Sequence, residues 1–103
     1  MALWTPDLLV ELTLLPTTEG GRSGATPSTW FACPVLLAPG EYFDARFDLT
    51  GVGSILPGQV AQVPVKFLFP ERAMPLVSAG QVVSLWEGRT IGHAKVLSIH
   101  GGA

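Results

Sequence analysis

Residues 41–49 read Glu41-Tyr42-Phe43-Asp44-Ala45-Arg46-Phe47-Asp48-Leu49. Phe43, Ala45, Phe47 and Leu49 fall on one side of a period-two alternation, and Tyr42, Asp44, Arg46 and Asp48 fall on the other. Successive strand side chains point to opposite faces, so the segment reads as a strand with one face in the core and one in water. Residues 59–69 repeat the pattern, setting Ala61, Val63, Val65, Phe67 and Phe69 against Gln62, Pro64, Lys66 and Leu68. Residues 8–15 alternate Val10, Leu12 and Leu14 with Leu9, Glu11 and Thr13. Residues 30–37 are an apolar run, bent or edge-placed because Pro34 cannot donate to a ladder. Residues 81–86 and 91–99 flank a short turn as a hairpin.

Between these segments lie a long polar loop (16–29), a turn at Leu56-Pro57-Gly58 and a connector rich in turn formers (70–80). The 12 glycines and 9 prolines punctuate the chain too often for helices, and no internal repeat or convincing helix emerges. The expected fold is therefore all-β: a six-stranded antiparallel, Greek-key-like barrel, the closure that leaves fewest open edges.

A chain of 103 residues corresponds to one domain, here with residues 1–6 as a leader and 100–103 as a tail. Hydrophobic residues make up 48% and charged residues 14%, which excludes intrinsic disorder. Six basic residues against eight acidic ones give a net charge of −2, an argument against a free-standing nucleic-acid binder. Cys33 is the single cysteine and reads as a buried small hydrophobe. Residues 1–6 lack the basic and apolar regions of a signal peptide, and no apolar stretch reaches the length of a membrane helix. The expectation is a cytoplasmic protein with no membrane association.

Two turns stand out as site-like. Glu19-Gly20-Gly21-Arg22 closes the first strand, and Glu87-Gly88-Arg89-Thr90-Ile91-Gly92 joins the last two. Both set a carboxylate, glycine and a guanidinium between β segments, and they are expected at opposite ends of the domain. Gly20, Gly21 and Gly88 read as positions needing positive backbone dihedrals. Arg22 and Arg89 each read as pairing with the carboxylate of their own turn, Glu19 and Glu87 respectively, or capping backbone carbonyls, and Arg22 reads as a fixer of its turn. The first turn is not a phosphate loop, since it lacks the lysine and the following helix. Asp48-Leu49-Thr50-Gly51 reads as a strand end followed by a glycine turn. His93 and His100, seven apart, read as exposed strand histidines with no acidic or cysteine partner at metal-ligand spacing. No catalytic order of Ser, His and Asp and no paired carboxylates emerge, so no enzyme, cofactor or metal is expected. Of the three tryptophans, Trp30 and Trp86 read as half-buried, and Trp4, in a flexible leader, as exposed or partner-facing.

The segments in order carry a resemblance. They are residues 10–15 with Glu19-Gly20-Gly21-Arg22, Thr26-Pro27, Asp48-Leu49-Thr50-Gly51 and Leu56-Pro57-Gly58. Then follow Val63-Pro64-Val65 through Phe69-Pro70 and the turn from Glu87 to Gly92 leading into 94–99. Together, over about residues 7–99, this series resembles the third domain of the elongation factor Tu family. The resemblance implies a six-stranded antiparallel barrel that catalyses nothing, packs on neighbouring domains and helps hold the T-stem of aminoacyl-tRNA. GTP hydrolysis is not expected, because the 103 residues include no GTPase domain. Glu87 and Gly88 match the family's T-stem contact, in a turn one glycine shorter than the family's Glu-Gly-Gly-Arg. The family's Gly-Tyr-Arg-Pro-Gln-Phe segment is replaced by Ser28-Thr29-Trp30-Phe31-Ala32-Cys33-Pro34, which lacks the arginine.

The resemblance points to a protein-protein interaction module linked to translation, with a translation factor, or a protein that recognises one, as partner. An immunity or decoy role against a toxin that attacks translation fits this. A tRNA- or RNA-binding accessory domain and a structural barrel of unknown partner are the alternatives. Candidate partner-binding residues are Glu87, Gly88, Arg89, Trp30 and Trp4, with Glu19, Gly20, Gly21 and Arg22 as a structural turn. The RNA alternative expects Arg22, Arg46, Arg89 and Lys95 on one face, and the protein alternative expects an exposed apolar patch on the barrel wall.

Overall fold

In a computed structural model that describes residues 3–100, six strands close a barrel. They are β1 (Leu8–Leu14), β2 (Trp30–Ala38), β3 (Glu41–Asp48), β4 (Val60–Phe67), β5 (Val82–Trp86) and β6 (Thr90–Ile99). All neighbours are antiparallel, in the order β1-β4-β3-β2-β5-β6, with β6 returning to β1. Strands β2, β3 and β4 form a meander, and β1 lies beside β4 across the long loop, which is a Greek key.

The period-two pattern places the core. Leu8, Val10, Leu12 and Leu14 point inward from β1, Phe31, Cys33, Val35 and Leu37 from β2, and Val63, Val65 and Phe67 from β4. Phe47 and Leu12 are among the largest fully buried side chains. Two expectations fail at strand ends, and one in the leader. Phe69 is 52% exposed rather than inward, because β4 stops at Phe67. The chain then turns into a single helical turn, α1 (Pro70–Ala73), where the Phe69 carbonyl accepts from Arg72 and Ala73 N–H. Pro70 sits at the first helical position, where its missing N–H costs nothing. The helical turn, with 3-10 turns at Thr17–Glu19 and Met74–Leu76, is the little helix among the described residues.

Asp48 was expected in water, yet it is only 3% exposed. Its carboxylate accepts from Leu3 N–H at 2.8 Å, Thr50 N–H at 3.0 Å and the Thr50 hydroxyl at 2.6 Å. Burial alone pushes its pKa up, but the Thr50 hydroxyl and the two backbone N–H groups overcome that and hold it below the ordinary carboxylate value. The leader is thus tied down at Leu3, contrary to the flexible segment expected. Met1, Ala2 and residues 101–103 of the tail lie outside the described residues.

Both in-strand prolines sit where a ladder ends. The β3–β4 register stops at Phe47↔Val65, one residue short of Pro64. The β2–β5 register covers only Val35↔Leu85 and Leu36↔Ser84, one residue short of Pro34. Pro34 is therefore edge-placed inside a closed barrel: β2 is nine residues long, but β5 pairs with two of them.

Candidate functional site

The short β2–β5 ladder leaves a seam, and the two glycine turns meet across it. Arg22, from the β1–β2 loop, reaches Glu87 in the β5–β6 turn, with Nη1 2.8 and 2.7 Å from the two carboxylate oxygens. Its guanidinium also stands over the buried Phe31 ring, 4.9 Å from the centroid. Arg89 answers from the opposite turn, donating from Nε to the Gly20 carbonyl at 2.6 Å and from Nη2 to the Gly21 carbonyl at 3.0 Å. The turns expected at opposite ends of the domain thus clasp each other. Linear order separates them, but the barrel order sets β5 beside β2 and brings their loops together.

Each turn is shaped by glycine, for two different reasons. Gly20 has φ 89° and caps the 3-10 turn, its N–H bonded to the Thr17 carbonyl. Gly21 does not have positive φ, against expectation. It is glycine because a Cβ there would overlap the Leu15 carbonyl. Gly88, with φ 73°, makes the tight hairpin in which Glu87 N–H donates to the Arg89 carbonyl at 2.8 Å. Glu19 is exposed and has no part in the clasp; Glu87 takes the guanidinium instead.

Beside the clasp runs an open groove of about 580 Å³, bounded by Arg22, Glu87 and residues 27–32. Trp30, 42% exposed, is its aromatic wall, and Trp4 packs edge-on against it with centroids 5.9 Å apart. Trp4 is half-buried, so the more exposed indoles are Trp30 and Trp86, the reverse of expectation. The five partner-binding candidates sort accordingly. Glu87, Gly88 and Arg89 form one half of the clasp, Trp30 faces the groove, and Trp4 braces it.

Sequence reasoning missed the outer face of β2. Trp30, Ala32, Pro34, Leu36 and Ala38 all point out of the barrel and none is polar. On the neighbouring strands Tyr42 lies opposite Leu36, and its ring sits 5.7 Å from that of Trp86. A strand wet on one face normally alternates apolar with polar, as β3 does. The signal was present in the run Trp30-Phe31-Ala32-Cys33-Pro34-Val35-Leu36-Leu37, which is apolar at both parities.

Cys33 is buried beneath this wall, its Sγ 3.4 Å from the Trp86 carbonyl. Burial, reinforced by the Glu87 charge and offset only in part by a backbone hydrogen bond from Trp86 and the Arg22 charge, pushes the thiol up to about 12. At neutral pH it is a thiol, not a nucleophilic thiolate. The groove it lines holds Asp44 and Arg46 but no histidine. His93 and His100 are exposed, and His100 Nε2 lies 2.7 Å from Ser98 Oγ. Among the described residues, no three His, Cys, Asp or Glu side chains gather as a metal site would require, and no helix is long and apolar enough to cross a membrane. No family model and no curated protein matches the chain. Fold and site together define a small antiparallel barrel with an apolar outer wall beside a clasped seam.

Proposed function

We propose that this protein is a non-catalytic binding module of the translation machinery, built like the third barrel of elongation factor Tu, and that a protein partner covers the outer wall of β2. The observation that carries the reading is the apolar outer face of β2, bordered by Tyr42 and Trp86. Contiguous apolar surface of this kind marks interaction sites, and exposed aromatics are favoured anchors there. The resemblance in sequence order supplies the link to translation, and with it a cytoplasmic location and an immunity- or decoy-like role.

Affinity purification from cell lysate followed by mass spectrometry tests the reading. The expected catch is a translation factor or a protein that recognises one, and Trp86→Ala is expected to weaken it. A catch without any translation component counts against the reading.

RNA binding draws less support, because three of the six cations are tied up in contacts within the barrel. Arg22 pairs with Glu87, Arg89 binds backbone carbonyls and Lys66 pairs with Asp7. Lys95 lies opposite Glu11, while Arg46 and Arg72 stand over aromatic rings. Affinity for nucleic acid rests chiefly on cations delivered to phosphates. A gel shift with tRNA at low salt is expected to show no complex.

A further inference from the structure

The open seam exposes more than side chains. Leu49 N–H donates to the Thr29 carbonyl at 2.9 Å, so Thr29 and Leu49 are a bonded pair of the antiparallel β2–β3 ladder. In the same register Phe31 faces Phe47 and Cys33 faces Ala45. Bonded and non-bonded pairs alternate along such a ladder. The N–H and C=O groups of Trp30 and Ala32 therefore turn away from β3, toward the side where β5 should be. There β5 pairs only with Val35 and Leu36. Among the described residues, nothing is bonded to the backbone of Trp30 or Ala32 on this side. Pro34, of the same parity, has no N–H to leave unpaired.

We propose that the stretch 30–34 of β2 is a docking edge for an extended peptide segment of a partner protein, which adds as a strand between β2 and the Arg22–Glu87 clasp. The inference rests on the binding-module reading and gives the partner its form. Two N–H donors and the carbonyls between them, repeating every second residue, are complementary to another strand backbone; a phosphate chain offers no donors to the carbonyls. The groove of about 580 Å³ lies along this edge and leaves room for the added segment. The partner also has a charge. Arg46, opposite Ala32 in register, contacts the Trp30 ring at 5.6 Å and makes no ion pair among the described residues. An acidic side chain on the added strand, placed beside Ala32, meets that guanidinium, and an apolar neighbour lies against Trp30.

The test is selection of short peptides from a displayed random library on the intact protein, followed by amide exchange measured by NMR with a selected peptide. Enriched sequences are expected to be extended, apolar and acidic, and to protect the Trp30 and Ala32 amides. Ala32→Pro removes the central donor without touching the β3 ladder and is expected to weaken the peptide by about tenfold or more. Ala32→Val keeps the donor and is expected to bind as the wild type does, and Arg46→Ala to lose the preference for acidic peptides. Thermal unfolding of each variant shows that it is folded. Protection elsewhere, undiminished binding by folded Ala32→Pro, or no enrichment at all overturns the proposal. So does concentration-dependent protection of these amides without peptide, which would make the occupant a second copy. Peptide addition at this edge with no translation component in the lysate catch leaves the edge standing and removes the translation reading. A translation partner still captured by Ala32→Pro does the opposite.

Discussion

Arg22 and Glu87, 65 positions apart in sequence, form a paired contact in which one guanidinium nitrogen meets both carboxylate oxygens at 2.8 and 2.7 Å. With the Arg89 bonds to Gly20 and Gly21, this contact bridges the part of the barrel that the β2–β5 ladder leaves open. Side-chain exposures of 21% for Arg22 and 35% for Glu87 make it a surface pair, for which a coupling of about 0.5–1 kcal/mol is ordinary. Arg22→Ala is expected to cost more, about 1–2 kcal/mol, because it also uncovers the Phe31 ring. Glu87→Ala is expected to cost about 0.5–1 kcal/mol. A double-mutant cycle by urea denaturation measures the coupling, and a value indistinguishable from zero would show that the clasp closes without this pair.

The first turn contrasts two glycines that are adjacent in sequence. Gly20→Ala meets open space but places a Cβ at φ 89°, a cost of about 1 kcal/mol. Gly21→Ala keeps an ordinary φ but drives a Cβ into the Leu15 carbonyl, which ends β1's approach to the loop. A clash with backbone has no soft partner to yield, so the expected loss is about 3 kcal/mol or more. Urea midpoints at unchanged slope check the order. Equal losses at the two positions would mean that the Leu15–Gly21 approach relaxes freely.

Much of this was legible from sequence for a plain reason. In β1, β3 and β4 one face is buried and the other wet, so parity alone places Val10, Phe47 and Val65 inside. Parity fails where a strand stops, and Phe69 and Asp48 are such ends. Asp48 needed Leu3 to cover it, a contact 45 residues long in sequence that no local pattern encodes. The clasp was illegible for the same reason: Glu19 is the near carboxylate to Arg22, and only barrel order makes Glu87 the nearer one in space. In β2 the double-apolar run was visible, but a run apolar at both parities does not say which face is inside.

Asp7 and Lys66 show how unequal the two ends of an ion pair can be. Asp7 is buried and accepts from Phe67 N–H at 2.9 Å as well as from Lys66 Nζ at 3.2 Å. Asp7→Ala strands a buried N–H at the end of β4 and is expected to cost about 2–3 kcal/mol. Lys66 is a third exposed, so Lys66→Ala is expected to cost less than about 1 kcal/mol. Asp7→Asn retains an acceptor for Phe67 and is expected to fall between them. Thermal unfolding of the three variants checks the ranking; a Lys66→Ala loss as large as that of Asp7→Ala would place the stability in the ion pair rather than in the backbone bond.

Cys33 predicts an alkaline limit to stability. Its thiol is held up from an ordinary 9.0 to about 12 by burial first, with the Glu87 carboxylate adding to it. The group is raised on folding, so its contribution is fully present below pH 9, where both states keep the proton. Above pH 9 the unfolded chain releases that proton while the folded chain retains it until about 12, and stability falls as pH rises. One unit above the unfolded value the loss is about 1.4 kcal/mol. Cys33→Ala removes the group and is expected to flatten this part of the curve, whatever it costs in packing at neutral pH. Denaturation series from pH 7 to about 10 on both proteins give the difference in slope directly, and other titrating groups cancel between them. The same burial makes thiol alkylation at pH 8 wait for unfolding. Parallel slopes, or rapid alkylation of the folded protein, would mean that the seam beside Trp86 admits water to Cys33 and that the clasp does not seal it.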